Sequence, residues 1–149
     1  MTAFKTPRLA IRTGIFTALN GVISYNSTTL PVYDSSAIPE NAVKPYILLG
    51  SQTDTPNNSK DNFGFDSTVQ IEAVTSSFGN NQAGEKAANT IMQSIHAVIM
   101  PDRTTLGFSV SGFNVYTMEL DSVRVIQILS GTEWIIREIS MFRIKTFQN

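Results

Sequence analysis

The stretch Phe63-Gly64-Phe65-Asp66-Ser67-Thr68-Val69-Gln70-Ile71-Glu72-Ala73, read together with Ala83 to Val98, decides the fold. In the first segment Phe63, Phe65, Val69, Ile71 and Ala73 fall on one side and Asp66, Thr68, Gln70 and Glu72 on the other. Period two gives a strand with one buried face. In the second, Ala88, Ile91, Ile95 and Val98 stand at i, i+3, i+7 and i+10, and Ala87, Met92 and Ile99 broaden the stripe. That is the spacing of an amphipathic helix. Glu85 in its first turn complements the helix dipole and Pro101 ends it. The loop from Ser76 to Gly84, with Gly79, Asn80 and Asn81, joins the two. A one-faced strand followed by a one-faced helix predicts a helix lying on a sheet.

Toward the N-terminus, Ile11, Ile15, Ala18, Leu19 and Val22 stand at i, i+4, i+7, i+8 and i+11, and Pro7 suits a first helical turn. Gly21 sits where that helix would end. Lys5, Arg8 and Arg12 ahead of Ile15 to Ile23 superficially resemble a leader. Thr17, Asn20 and Gly21 interrupt the apolar run, however, and no A-x-A pattern follows. The segment reads as a core helix. Ser24 to Thr29 reads as a loop, Leu30 to Tyr33 as a short extended piece, and Asp34 to Lys44 as polar turns. Pro45 introduces the strand-length run Tyr46-Ile47-Leu48-Leu49. Ser51 to Asp61, with Pro56 and Asn57-Asn58, reads as a long loop or hairpin tip.

From Thr105 onward the chain reads as β: first strand or irregular structure around Gly107 and Gly112, then two arms. Val123 to Leu129 and Trp134 to Phe147 flank Ser130-Gly131-Thr132 as a hairpin. Ile139 and Met141 give way to Phe142 and Ile144, a change of phase that signals either a β-bulge or a strand covered on both faces. The fold class is therefore α+β, a largely antiparallel β-sheet with two amphipathic helices packed on it and a long C-terminal β-hairpin, in one domain spanning residues 1–149.

Composition narrows the function classes. Zero cysteines exclude disulfides, a thiol nucleophile and thiolate metal sites, and argue against a secreted disulfide module. Charged residues make up 15%, against roughly 25% in soluble domains, while Ser, Thr, Asn and Gln fill about a third of the chain. A net charge of -1 argues against bulk-charge affinity for nucleic acid or anionic membrane. No stretch approaches the ~18 apolar residues of a membrane span, so a soluble chain with no membrane partner is expected.

Tests for chemistry return little. Gly79 to Ala87 lies between strand and helix as a phosphate loop would, but Glu85 takes the lysine position, Lys86 comes one residue late and Ala87 lacks a hydroxyl. His96 is the lone histidine, and Ile91, Ile95 and Ile99 around it suggest a packed residue. Asp61 and Asp66 lack the spacing and bidentate Glu of a calcium loop. Glu72, Glu119, Glu133 and Glu138 share no motif and read as solvated strand faces. Arg124, Arg137, Arg143 and Lys145 read as cross-strand partners for Glu133 or Glu138. Trp134 suits either a core or a subunit contact. No catalytic residue, cofactor or metal is expected.

The layout resembles the tail-completion or tail-terminator (head-tail joining) proteins of long-tailed bacteriophages. The resemblance runs through the helix Arg8 to Leu19, the extended Val32-Tyr33, Pro45-Tyr46-Ile47-Leu48-Leu49-Gly50, the strand Thr68 to Ala73, the helix Ala83 to Val98 and the closing hairpin ending in Phe142-Arg143-Ile144. It implies a non-enzymatic virion protein, assembled in the host cytoplasm. Its subunits would form a homo-oligomeric ring, usually a hexamer, at the head-proximal end of the tail tube. The ring would contact the tail-tube protein and the head connector or stopper protein and let DNA pass through its lumen. A ring built head-to-tail needs two different patches per subunit. The expected interface residues are Asn62, Phe63 and Phe65 on one loop and Gly131, Trp134 and Ile135 at the hairpin.

Overall fold

A computed structural model describes residues 3–35, 37–60, 62–78 and 83–149. Helix α1 spans Arg8–Leu19 and buries Ile11, Ile15 and Leu19. It stops at Asn20 because Gly21 turns left-handed at φ +76, so Val22 lies beyond the helix, 56% exposed rather than on the predicted stripe. The expected loop at Ser24 to Thr29 is a small hairpin: β1 (Ser24–Tyr25) pairs with β2 (Thr28–Thr29) around Asn26 and Ser27, both at positive φ as a tight primed turn requires.

The main sheet has the order β3-β4-β5-β7-β6. β3 (Val32–Asp34) runs parallel to β4 (Tyr46–Pro56), and every other pairing, through β5 (Gly64–Phe78), β7 (Glu133–Gln148) and β6 (Phe113–Ser130), is antiparallel. Lys44-Pro45 is cis. Helix α2 (Ala83–Ile99) lies over β5 and β7, and α1 packs against α2 and β4, on the same face of the sheet. Between them and the sheet sit Ile47, Leu49, Val69, Ile71, Ile91, Met92, Ile95, Phe142 and Ile144, each at most 2% exposed. Each such side chain contributes on the order of 1.5–3 kcal/mol by leaving water.

Three expectations need correcting. Ser51 to Asp61 is not all loop, because β4 continues to Pro56. Its polar residues satisfy one another in the strand: Asp54 Oδ1 accepts from Gln52 Nε2 at 2.9 Å and from Ser67 Oγ at 2.7 Å, so no apolar alternation betrays it. β7 keeps one register against β5 from Glu133 to Phe147 and does not change phase. The apparent slip arises because Glu138 and Ser140 occupy helix-facing positions with Ile136, Phe142 and Ile144, all buried. The irregularities lie instead in β6, between Val115 and Thr117 and between Leu120 and Ser122. Finally, Phe108 and Val110 belong to no strand; this connection before β6 is irregular.

The chain ends are tied together. Gln148 donates from Nε2 to the Ala3 carbonyl at 2.6 Å and accepts from the Lys5 amide at 3.1 Å. Arg12 donates to the carbonyls of Gly50 (2.8 Å) and Leu49 (3.0 Å) and ion-pairs with Asp34 at 2.8 Å. Arg8 donates to the Gln52 carbonyl at 2.7 Å and pairs with Asp54. These carbonyls sit at the break in register between Leu49 and Gln52, where ladder partners are lost. The basic residues of the leader-like segment thus bind α1 to a bulged strand.

Candidate assembly surfaces

The polar side chains nearest to a catalytic arrangement are closed to solvent. His96 Nε2 lies 2.8 Å from Ser140 Oγ, a serine-histidine contact, but Ser140 is fully buried under α2 and no substrate reaches it. Burial lowers the His96 pKa below its ordinary value and keeps the ring neutral, edge-on to Phe142. Glu138 on the same face is raised by burial, with the Glu85 carboxylate adding to the effect. Glu72 is no solvated carboxylate either: it is 3% exposed and receives Nε at 2.9 Å and Nη2 at 2.5 Å from Arg137. The strand cations therefore pair differently from the expectation. Arg137 takes Glu72 and Arg143 takes Asp66 on β5, while Glu133 pairs with Lys44. Parity of the register makes this so, since Glu138 faces the helices and Arg137 the opposite side.

Among the described residues no cluster of His, Cys, Asp and Glu is arranged to hold a metal ion. Most of the Gly79 to Gly84 loop, like Asp61, lies outside the described residues; the Glu85 carboxylate accepts from Gln127 Nε2 at 3.1 Å. No helix is long and apolar enough to cross a membrane.

What the surface does offer is apolar and elongated. β6 is an edge strand of 18 residues, and Tyr116, Leu120, Val123, Ile128 and Leu129 along it are 40–54% exposed. Trp134, opposite Leu129, is 37% exposed, which places it at the surface. Gly131, at φ +65, closes the hairpin tip. Ile135 is half-buried beside Tyr46, Leu48 and Val74 on the face away from the helices. The other predicted interface residues lie at the opposite end of the sheet. Phe63 is 40% exposed and meets Phe4 edge to face; Asn62 is exposed; Phe65 is 2% exposed beneath Phe4 and offers no surface. The six residues thus form two separate sets, divided by the length of β5 and β7, roughly 45 Å at strand rise.

A second surface lies on α1. Leu9 is 78% exposed and Phe16 40% exposed on its outer side. A mainly apolar groove of about 840 Å³ runs along one flank, bounded by Lys5, Leu9, Thr13, Phe108 and Phe113. A smaller one of about 410 Å³ lies along the other, between Phe16, Tyr33 and Leu49. Gly14 seats the helix against the connection before β6, since a Cβ there would stand 2.2 Å from the Ser109 carbonyl oxygen. Sequence periodicity missed this surface because it reports the buried stripe. Leu9 and Phe16, seven residues apart and off that stripe, were the available signal.

Neither a protein-family model nor a curated protein matches the chain. A solved structure does: a chain from the virion of a native gene transfer agent particle superimposes with a TM-score of 0.55 at 14% identity, over 94% of this chain and 92% of that one. At that identity the likeness shows a shared α+β fold over nearly the whole of both chains.

Proposed function

We propose that this protein is a structural component of a phage-like virion. In the finer reading it is the tail-terminator subunit, forming a ring on the head-proximal end of the tail tube and joining it to the head connector. The observation that carries the proposal is the near full-length fold likeness to a virion chain of a gene transfer agent. Two features of the surface support it. The long β6 edge and the outer side of α1 leave apolar side chains in water, as assembly subunits do before they meet their neighbours. The single serine-histidine contact is sealed in the core, where it stabilises and does no chemistry.

Light scattering on the purified protein, with negative-stain images of the same fraction, tests the reading. A closed ring of about six times 16.4 kDa is expected. Long tubes from the protein alone would make it a tube subunit instead. A monomer that stays monomeric when isolated tail tubes are added would overturn the assembly role.

A further inference from the structure

The helical layer leaves one strand of the sheet uncovered. α2 covers β5 and β7, and its printed reach to β6 is the hydrogen bond between Glu85 and Gln127. Leu120, Val123 and Leu129 face the helix side of β6, since they pair with Phe142, Ser140 and Trp134, and they remain 40%, 45% and 54% exposed. The same chain carries a helix with an uncovered side, the ridge Leu9, Thr13 and Phe16 of α1. A sheet face lacking a helix and a helix lacking a sheet are complementary in kind, and within one chain they cannot meet because α1 is held on β4 by Arg8 and Arg12.

We propose that the outer ridge of α1 in one copy lies on the helix-side face of β6 in the next copy, beside its α2. This rests on the reading of the chain as an assembly subunit and names the contact that builds the assembly. The sizes agree: twelve helical residues span roughly 18 Å, and Leu120 to Leu129 offers about 33 Å of strand. The exposed apolar part of the β6–β7 hairpin amounts to roughly 500 Å², near the apolar share of the ~800 Å² per partner that a stable interface buries. The charges agree as well. Lys5 and the half-exposed Arg8 flank the ridge, while Glu119 and Asp121 on β6 are exposed and make no ion pair among the described residues. Strand-to-strand pairing of two β6 edges is the less suited geometry. The irregularities beside Val115 and Leu120 and the acidic pair break the edge, the devices by which sheets resist such pairing. The contact is heterologous, so successive copies propagate around a ring.

The cysteine-free sequence makes the test clean. Cysteines are placed in the full chain as Leu9→Cys, Val123→Cys and both together, and joined with a short bis-maleimide linker; circular dichroism checks each fold. The double variant is expected to give a ladder from dimer upward. Mixed single variants are expected to give dimer only, at least about tenfold above either alone, because docked thiols sit at an effective concentration near mM. Leu9→Asp is expected to reduce the light-scattering mass to that of a monomer. Val43→Asp, at a position 79% exposed elsewhere, is expected to leave it unchanged. A ring that forms without the ladder overturns this contact and leaves the assembly role standing; absence of both ring and ladder overturns both. Dimers from Val123→Cys alone would show edge pairing, and Leu9→Cys reacting only after tail tubes are added would assign the ridge to the tube protein. Either result overturns the proposal.

Discussion

Replacing Arg137 with Met removes both donors from a carboxylate that has almost no other access to water. Glu72 is 4% exposed as a side chain and takes both Nε and Nη2 of Arg137 on one oxygen. Deleting one partner of a fully buried pair costs about 3–5 kcal/mol, because the remaining charge is stranded. Arg137 is 36% exposed, so its removal also admits some water, and a loss of about 2–3 kcal/mol is expected. In a chain of this length that corresponds to a fall in Tm of roughly 6–10 °C. The assay is chemical denaturation of wild type, Arg137→Met, Glu72→Gln and the double variant at one protein concentration. The double variant should recover at least about 1 kcal/mol relative to the sum of the singles, as residues sharing a buried pair couple. Additive singles, or a loss under about 0.5 kcal/mol for Arg137→Met, would refute the claim that this pair stabilises the uncovered face of the sheet.

Other outcomes follow from the same geometry. Glu138 titrates above its ordinary value in the folded state, so its contribution to stability is full below about pH 4.5 and lost as pH rises through the folded pKa. Glu138→Gln should therefore raise Tm at pH 7 with the gain vanishing near pH 4; a lower Tm at pH 7 would contradict this. His96 is depressed, so its contribution is full above about pH 6.5 and fades as pH falls through the folded pKa, which melts of His96→Gln from pH 7 to pH 5 should report as a flatter profile. Gly107→Ala should cost more than about 3 kcal/mol or abolish soluble expression, since its Cβ would stand 1.7 Å from the Val98 carbonyl oxygen. Arg12→Lys should cost about 1–2 kcal/mol in urea denaturation, because a lysine cannot serve the Gly50 and Leu49 carbonyls and Asp34 at once.

The architecture was legible where one face is apolar and the other polar. Ile11, Ile15 and Leu19, the alternation through Val69 and Ile71, and the stripe Ala88 to Ile95 all point inward as their spacing requires. Legibility ended where polar residues face inward. Gln52, Asp54 and Ser67 bond to one another and disguise the second half of β4 as a loop, and Glu138 and Ser140 beneath α2 mimic a change of phase in β7. Glu72 and Arg137 lie 65 residues apart, so their pairing depends on a register that no local pattern encodes. The hairpin tip was visible as Ser130-Gly131-Thr132 between two β arms. The α1 ridge was not, because a helix's exposed side becomes informative only once it is known what the rest of the layer leaves uncovered.

The most direct measurement is a cryo-electron microscopy reconstruction of the particle into which the protein is built. The expected result is a closed ring of this fold at the head-proximal end of the tail tube, with α1 of each copy seated on β6 of the next. Density for the fold in the capsid shell, along the tube or at the distal tip, with the head-proximal end occupied by another protein, would contradict the account.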